Sequence, residues 1–183
     1  MPELPEIETE KLQLQKVLVG QKLLEIKILN PKVVQGKLDE IINKKVVEIE
    51  RMGKVLLISF GPNLKLGFHF KMTGQLIYDG GGPARNARIR VAGGHPTEDF
   101  VGKMPSKHTR VVFHLEGGTL YFNDQRLFGW VMINPKFVEK LGPEPFEITQ
   151  DKFLETFRNL RKPIKVALMD QERISGVGNI YAN

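Results

Sequence analysis

Residues 46–60, Val46-Val47-Glu48-Ile49-Glu50-Arg51-Met52-Gly53-Lys54-Val55-Leu56-Leu57-Ile58-Ser59-Phe60, read as two apolar, β-branched strands meeting at a tight turn on Met52-Gly53. On the N-terminal side, Leu24, Ile26 and Ile28 alternate with Glu25 and Lys27. On the other side the series continues through 64–70, 110–115 and 119–122, the last two joined at Gly117-Gly118. The spacing predicts a mostly β region from Gly20 to about residue 133, broken by a short helix over 38–43. A helix precedes it. Pro2 and Pro5 fit a first turn, Glu3 and Glu6 suit the positive end of the helix dipole, and Gly20 stops the helix. Leu4, Ile7, Leu14 and Leu18 share one face, with Lys11 as the interruption. After Leu141-Gly142-Pro143-Glu144-Pro145 the pattern turns helical around Phe153, Phe157 and Leu160, breaks at Pro163, and resumes over 164–172. The expected fold is α+β: an N-terminal two-layer β-sandwich with flanking helices over 1–135, a linker over 136–148, and the start of an incomplete helical domain over 149–183. Residues 79–107, with Gly80-Gly81-Gly82, Gly93-Gly94 and three prolines, are expected to form a long mobile insertion.

The chain has 183 residues, and 27 Lys and Arg against 21 Asp and Glu leave it at +6. That balance favours a polyanionic partner. The absence of cysteine excludes disulfides and thiolate catalysis, and His69, His95, His108 and His114 lack paired metal-ligand spacing. No apolar run approaches the roughly 18 residues of a membrane helix, and the first residues lack the features of a secretion signal. A cytoplasmic monomer is expected.

Pro2 is the most informative single residue. A small second residue permits removal of Met1, which would leave a secondary amine at the chain terminus. An α-amine titrates near ~7.7–8.0, against ~10.4 for lysine, so far more of it is free base at neutral pH. Attack on an electrophilic carbon then gives an iminium ion, with Glu3 alongside as a proton shuttle. The plainer reading is a well-capped helix start.

The opening Met1-Pro2-Glu3-Leu4-Pro5-Glu6-Ile7-Glu8-Thr9 resembles that of the formamidopyrimidine-DNA glycosylases within the formamidopyrimidine/endonuclease VIII family. So do Arg51-Met52-Gly53-Lys54, His69-Phe70-Lys71-Met72-Thr73-Gly74, Asp124-Gln125-Arg126-Leu127-Phe128-Gly129, Leu141-Gly142-Pro143-Glu144-Pro145, Leu168-Met169-Asp170 and Gly176-Val177-Gly178-Asn179-Ile180-Tyr181, in the family's order. The resemblance implies base-excision repair of oxidised purines (8-oxoguanine, formamidopyrimidines) with AP lyase activity, on double-stranded DNA carrying an oxidised base or abasic site. Pro2 would be the Schiff-base nucleophile, Glu3 a proton donor, and Lys54 the proton donor for strand-cutting β-elimination. A solvated hairpin-tip lysine is the plainer reading of Lys54. Met72, Arg126 and Phe128 resemble the trio that fills the hole left by an extruded base; isolated, Met72 and Phe128 also read as core residues. Residues 126 and 128 would point to one side if the segment is extended, and a loop would serve as well. Phosphate contacts are implied for His108, Arg161, Lys165 and the 176–179 turn, where N–H groups suit an anion and Asn179 would clamp the backbone. Asn179 alone also reads as a helix cap. Arg85, Arg88 and Arg90 read either as an electrostatic skirt for DNA or as a solvated loop.

Two departures from the family stand out. Leu127 occupies a place often held by a second arginine. The family's helical domain continues into a four-cysteine Zn(II) finger, which would lie beyond residue 183, so no cofactor is expected in this chain. As given, the chain is expected to bind DNA poorly and turn over little. Leu4 and the surroundings of Met72 favour the purine branch over endonuclease VIII, which acts on oxidised pyrimidines. The alternatives are a non-catalytic DNA- or RNA-binding module and an inactive fragment of such an enzyme.

Overall fold

The alternating segments pair into two antiparallel-rich sheets of five strands each in a computed structural model that describes residues 1–81 and 88–183. One sheet runs in the order β1 (Leu23–Ile28), β8 (Thr109–Leu115), β9 (Gly118–Asp124), β6 (Gly74–Gly81), β7 (Arg88–Gly94). The other runs β2 (Val34–Gln35), β10 (Trp130–Ile133), β5 (Lys65–His69), β4 (Val55–Ser59), β3 (Glu48–Met52). Their inner faces share one core, with Phe68 of the second sheet 5.8 Å from Phe113 and 5.9 Å from Phe122 of the first. Each such fully buried side chain contributes about 1.5–3 kcal/mol, so the α+β sandwich expected from the pattern is what apolar burial selects.

Helix α1 (Leu4–Leu18) packs on β7 of one sheet and on β3 and β4 of the other, sealing the edges on one side. It thereby sets its N-terminal residues where the two sheets and the C-terminal segment meet. That segment carries α2 (Gln150–Phe157), capped by the Thr149 hydroxyl, and α3 (Ile164–Leu168). No helix among the described residues is long and apolar enough to cross a membrane.

Several expectations are corrected. Of the stretch 79–107, residues 82–87 lie outside the described residues and the rest is not structureless: β6 and β7 pair from Gln75↔Gly94 to Gly81↔Arg88, and the short helical turn Glu98–Phe100 follows. Edge pairing imposes this order on a sequence whose glycines suggest a loop. Leu24 and Ile28 are exposed, because β1 lies at a sheet edge and a bulge between Leu23 and Glu25 interrupts its alternation. The 38–43 helix is a short 3₁₀ turn at Leu38–Ile41, and the helix after Pro163 ends at Leu168.

On α1 the interrupting residue is Glu10 rather than Lys11. Glu10 is buried against Gly93 of β7, where any Cβ would lie 2.3 Å from its carboxyl carbon. Neither carboxyl oxygen has a hydrogen-bond partner. Burial pushes its pKa well above the ordinary carboxylate value, against a weaker lowering by the Leu76 backbone. The folded state therefore holds a proton that the unfolded state releases, and stability falls as pH rises above the unfolded value of about 4.3. Glu10→Gln removes this titration. Its thermal midpoint should exceed the wild type's at pH 8 by roughly 2–4 °C, on the order of 1 kcal/mol, with the gap closing toward pH 4.5. Melts across that range that stay parallel contradict the assignment.

Candidate active site

Glu3 is the N-cap of α1, and its own N–H donates to Glu6 Oε2 at 2.9 Å. Its side chain is fully buried, and its two oxygens accept the backbone N–H groups of Gly178 (2.5 Å) and Ile180 (2.7 Å). The Leu4 N–H donates to the Gly176 carbonyl at 3.1 Å. Two glycines make this approach possible. A Cβ on Gly178 would lie 2.5 Å from the Glu3 carboxyl carbon, and one on Gly176, at φ +92°, would lie 2.5 Å from Leu4. The anion held by this glycine turn is thus Glu3 itself. Of the N–H groups over 176–179 expected to meet phosphate, that of Gly178 is spent on Glu3 and that of Gly176 on Gln171 Oε1 at 3.0 Å.

Lys54 follows Gly53 in the β3–β4 turn, where Gly53 sits at φ +56°. It is only 9% exposed, and its Nζ donates to the Val177 carbonyl at 2.8 Å, which overturns the solvated-tip reading. Burial lowers its pKa; the Glu3 charge acts in the opposite sense and the Lys71 charge adds to the lowering. One short turn therefore brings Glu3 and Lys54 together, with Pro2 adjoining. Pro2 is buried and its nitrogen is acylated by a partly buried Met1, so an exposed terminal amine is not what this chain presents. The amine exists only once Met1 is cleaved.

Arg51 and Glu144, quoted in the sequence only as parts of motifs, clamp this corner. Glu144 accepts Arg51 Nη1 (2.5 Å), Arg51 Nη2 (2.7 Å) and the Gly53 N–H (2.9 Å), while Arg51 Nε reaches Glu8 at 2.7 Å. Burial tends to raise the Glu8 pKa, but its bonds to Lys11 and Arg51 prevail and it lies below the usual value. A cleft of about 400 Å³ opens beside Lys54, lined among others by His69, Lys71, Trp130, Phe137 and Lys140. Burial, helped by the charges of Lys71 and Lys54, lowers His69 to about 3. It is a neutral imidazole whose Nδ1 accepts the Lys71 N–H at 3.0 Å, so its hydrogen sits on Nε2.

Met72 and Phe128 are exposed, against the core reading, and Arg126 is exposed with them. Their two loops are tied by Asp124, fully buried, whose carboxylate accepts the Thr73 hydroxyl and the N–H groups of Arg126 (3.1 Å) and Gly129 (2.7 Å). Residues 126–128 are not extended. Leu127 adopts φ +58°, and the loop lays the Arg126 guanidinium 4.8 Å over the Phe128 ring. Arg161 and Asn179 are exposed, Asn179 sitting between the two residues whose N–H groups hold Glu3. Lys165 Nζ donates to Asn183 Oδ1. His108 Nδ1 lies 2.9 Å from Asp99. Arg88 is paired with Asp79 at 2.9 Å, and Arg90 donates to the Asp99 carbonyl; Arg85 lies outside the described residues. The chain has no cysteine, and the described residues contain no cluster of three His, Asp or Glu fit to hold a metal, so they do not fit a four-cysteine Zn(II) site.

Residues 1–131 match the family model of the formamidopyrimidine-DNA glycosylase N-terminal domain, and residues 141–183 match that of the formamidopyrimidine-DNA glycosylase H2TH domain. Proteins named formamidopyrimidine-DNA glycosylase from Pelotomaculum thermopropionicum and Acaryochloris marina are 36% and 38% identical over the whole of this chain. The chain spans 64% and 66% of their respective lengths. The Lactococcus lactis Fpg, solved with abasic-site DNA, is 29% identical, with a TM-score of 0.79 over 98% of this chain and 64% of its own. A mutant of that protein with Fapy-dG containing DNA has the same score at 30% identity.

Truncating one partner of the Arg51–Glu144 pair leaves the other charge largely buried without its bidentate partner, at a cost of up to about 3–5 kcal/mol. Arg51→Ala should therefore unfold at much lower denaturant, and Arg51→Met/Glu144→Leu should recover most of the loss. Equal melts for Arg51→Ala and wild type would dismiss the clamp.

Proposed function

The chain belongs to the formamidopyrimidine-DNA glycosylase family, and on that premise we propose that it acts in base-excision repair, removing oxidised purines from double-stranded DNA and cutting the abasic strand. The observation that carries the reading is the convergence of the Pro2–Glu3 end of α1 and the dehydrated Lys54 on one turn, 176–180.

Once Met1 is removed, the Pro2 nitrogen attacks C1′ of an extruded nucleotide. The C1′–N bond breaks and the departing base takes a proton from water. The C1′–O4′ bond then opens to give the iminium, and Glu3, beside the nucleophile, takes the proton lost by the Pro2 nitrogen and donates it to O4′. The resulting iminium makes the C2′ hydrogens acidic. Loss of one drives β-elimination, in which the C3′–O bond breaks and the phosphate departs. Burial moves Lys54 toward neutrality, which suits it to take and return a proton in that step. The side chains of Met72, Arg126 and Phe128 occupy the vacated stack. His108, Arg161, Lys165 and Asn179 meet the phosphates, giving an affinity that falls with salt. The residues of this chain, which include no cysteine, would not hold a four-cysteine Zn(II) finger.

Borohydride added to the chain, confirmed by mass to begin at Pro2, with a duplex containing an abasic site should trap a covalent adduct on the N-terminal peptide. Protein that retains Met1 should give none. Lys54→Ala should still trap the adduct while cleaving the strand at least tenfold more slowly. Absence of any adduct from chain beginning at Pro2 rejects the mechanism.

A further inference from the structure

The segment between β7 and β8 carries polar groups that the chemistry above leaves unused. Asp99 lies in the turn Glu98–Phe100, where its N–H donates to the Thr97 hydroxyl. A single oxygen of its carboxylate, Oδ2, faces both His108 Nδ1 at 2.9 Å and Asn123 Nδ2 at 3.3 Å. Asn123 is fully buried and stands opposite Gln75 in the β6–β9 ladder. Gln75 in turn donates to the Thr97 hydroxyl at 2.8 Å and to the His95 carbonyl. A carboxylate accepts only, so the ring nitrogen facing it bears the hydrogen. Nε2 is left for a ligand, and the ring keeps about a fifth of its surface exposed.

We infer that Asp99 is a positioning residue for DNA binding: it holds the His108 ring so that Nε2 meets a backbone phosphate. This rests on the reading of the protein as a DNA-repair enzyme and assigns a task to the segment between β7 and β8. The same network sets the ring against the loops that enter the duplex. The His108 carbonyl accepts the Asp124 N–H at 2.9 Å, the Asp124 carboxylate fixes the Arg126 loop, and the His95 N–H donates to the Gly74 carbonyl just past Met72. A phosphate contact at His108 is thereby placed in register with the hole-filling side chains.

The approach of a phosphate puts an anion on each side of the imidazole. With a proton taken from solvent, the ring offers one N–H to Asp99 and the other to the phosphate. The charged groups around it are Asp99, Arg90 on the Asp99 carbonyl, Arg110 on the carbonyls of Asp124 and Lys107, Lys107 itself and Asp124.

The test is a double-mutant cycle on the full chain with a fluorescent duplex holding a tetrahydrofuran abasic analogue, together with ¹⁵N spectra of the histidine rings in the free protein. Asp99→Ala and His108→Ala should each weaken binding about tenfold at pH 6.5, and the double variant should bind no worse than His108→Ala. The His108 ring should report hydrogen on Nδ1 in the wild type and lose that preference in Asp99→Ala. Weakened binding by His108→Ala alone, with Asp99→Ala like wild type or the two losses additive, overturns the positioning role. Wild-type affinity in His108→Ala rejects the phosphate contact itself and the positioning role with it, while borohydride trapping separately decides whether the repair reading survives.

Discussion

A single carboxylate ties the first residues of the chain to its last turn. Glu3 is removed from water completely, and the two backbone N–H groups of Gly178 and Ile180 replace that water. A buried charge persists only with partners of this kind. The requirement explains both glycines at once, because any side chain at 176 or 178 would occupy the space of Leu4 or Glu3. The consequence for chemistry is positional: the end of α1, which carries Pro2, and the Val177 carbonyl, which holds Lys54, are fixed to the same few residues.

Around this centre, cations outnumber anions and are kept apart by structure rather than neutralised. Lys54, Lys71 and Lys140 line one cleft, and His69 within it is held neutral by burial and by two of those charges. A cluster of donors with few acceptors suits an incoming polyanion. The opposite arrangement holds beneath it. Arg51 is surrounded by Glu144 and Glu8, so its charge is spent on fastening the β3–β4 turn to the C-terminal segment. Cations that face the open cleft and cations that hold the fold are thus distinguished by what covers them. Composition alone does not separate them.

The sequence carried the sandwich through local pattern: the 46–60 hairpin, the 110–122 hairpin and α1 all follow from spacing and turn residues within a few positions. It did not show β2 and β10, two and four residues long, whose parallel pairing depends on strands far away in the chain. Nor did it show β7, because Gly93 and Gly94 read as loop until one sees that Gly93 leaves room for Glu10. At the site, Pro2, Glu3 and Lys54 were legible as a group only through the family resemblance. The Arg51–Glu144 pair joins positions 93 apart and has no local signature. For the Arg126–Phe128 neighbourhood the sequence allowed either an extended segment or a loop; it is a loop, with a left-handed Leu127 and held by Asp124.

Amide hydrogen exchange at Gly178 and Ile180 measures the central constraint without recourse to activity. With Glu3 present, both amides should exchange slowly. In Glu3→Ala they should exchange at least about tenfold faster, which corresponds to roughly 1.4 kcal/mol of lost protection, while the β4 and β9 amides stay protected. Unchanged exchange at both positions would show that the turn is held without the carboxylate and would contradict the account.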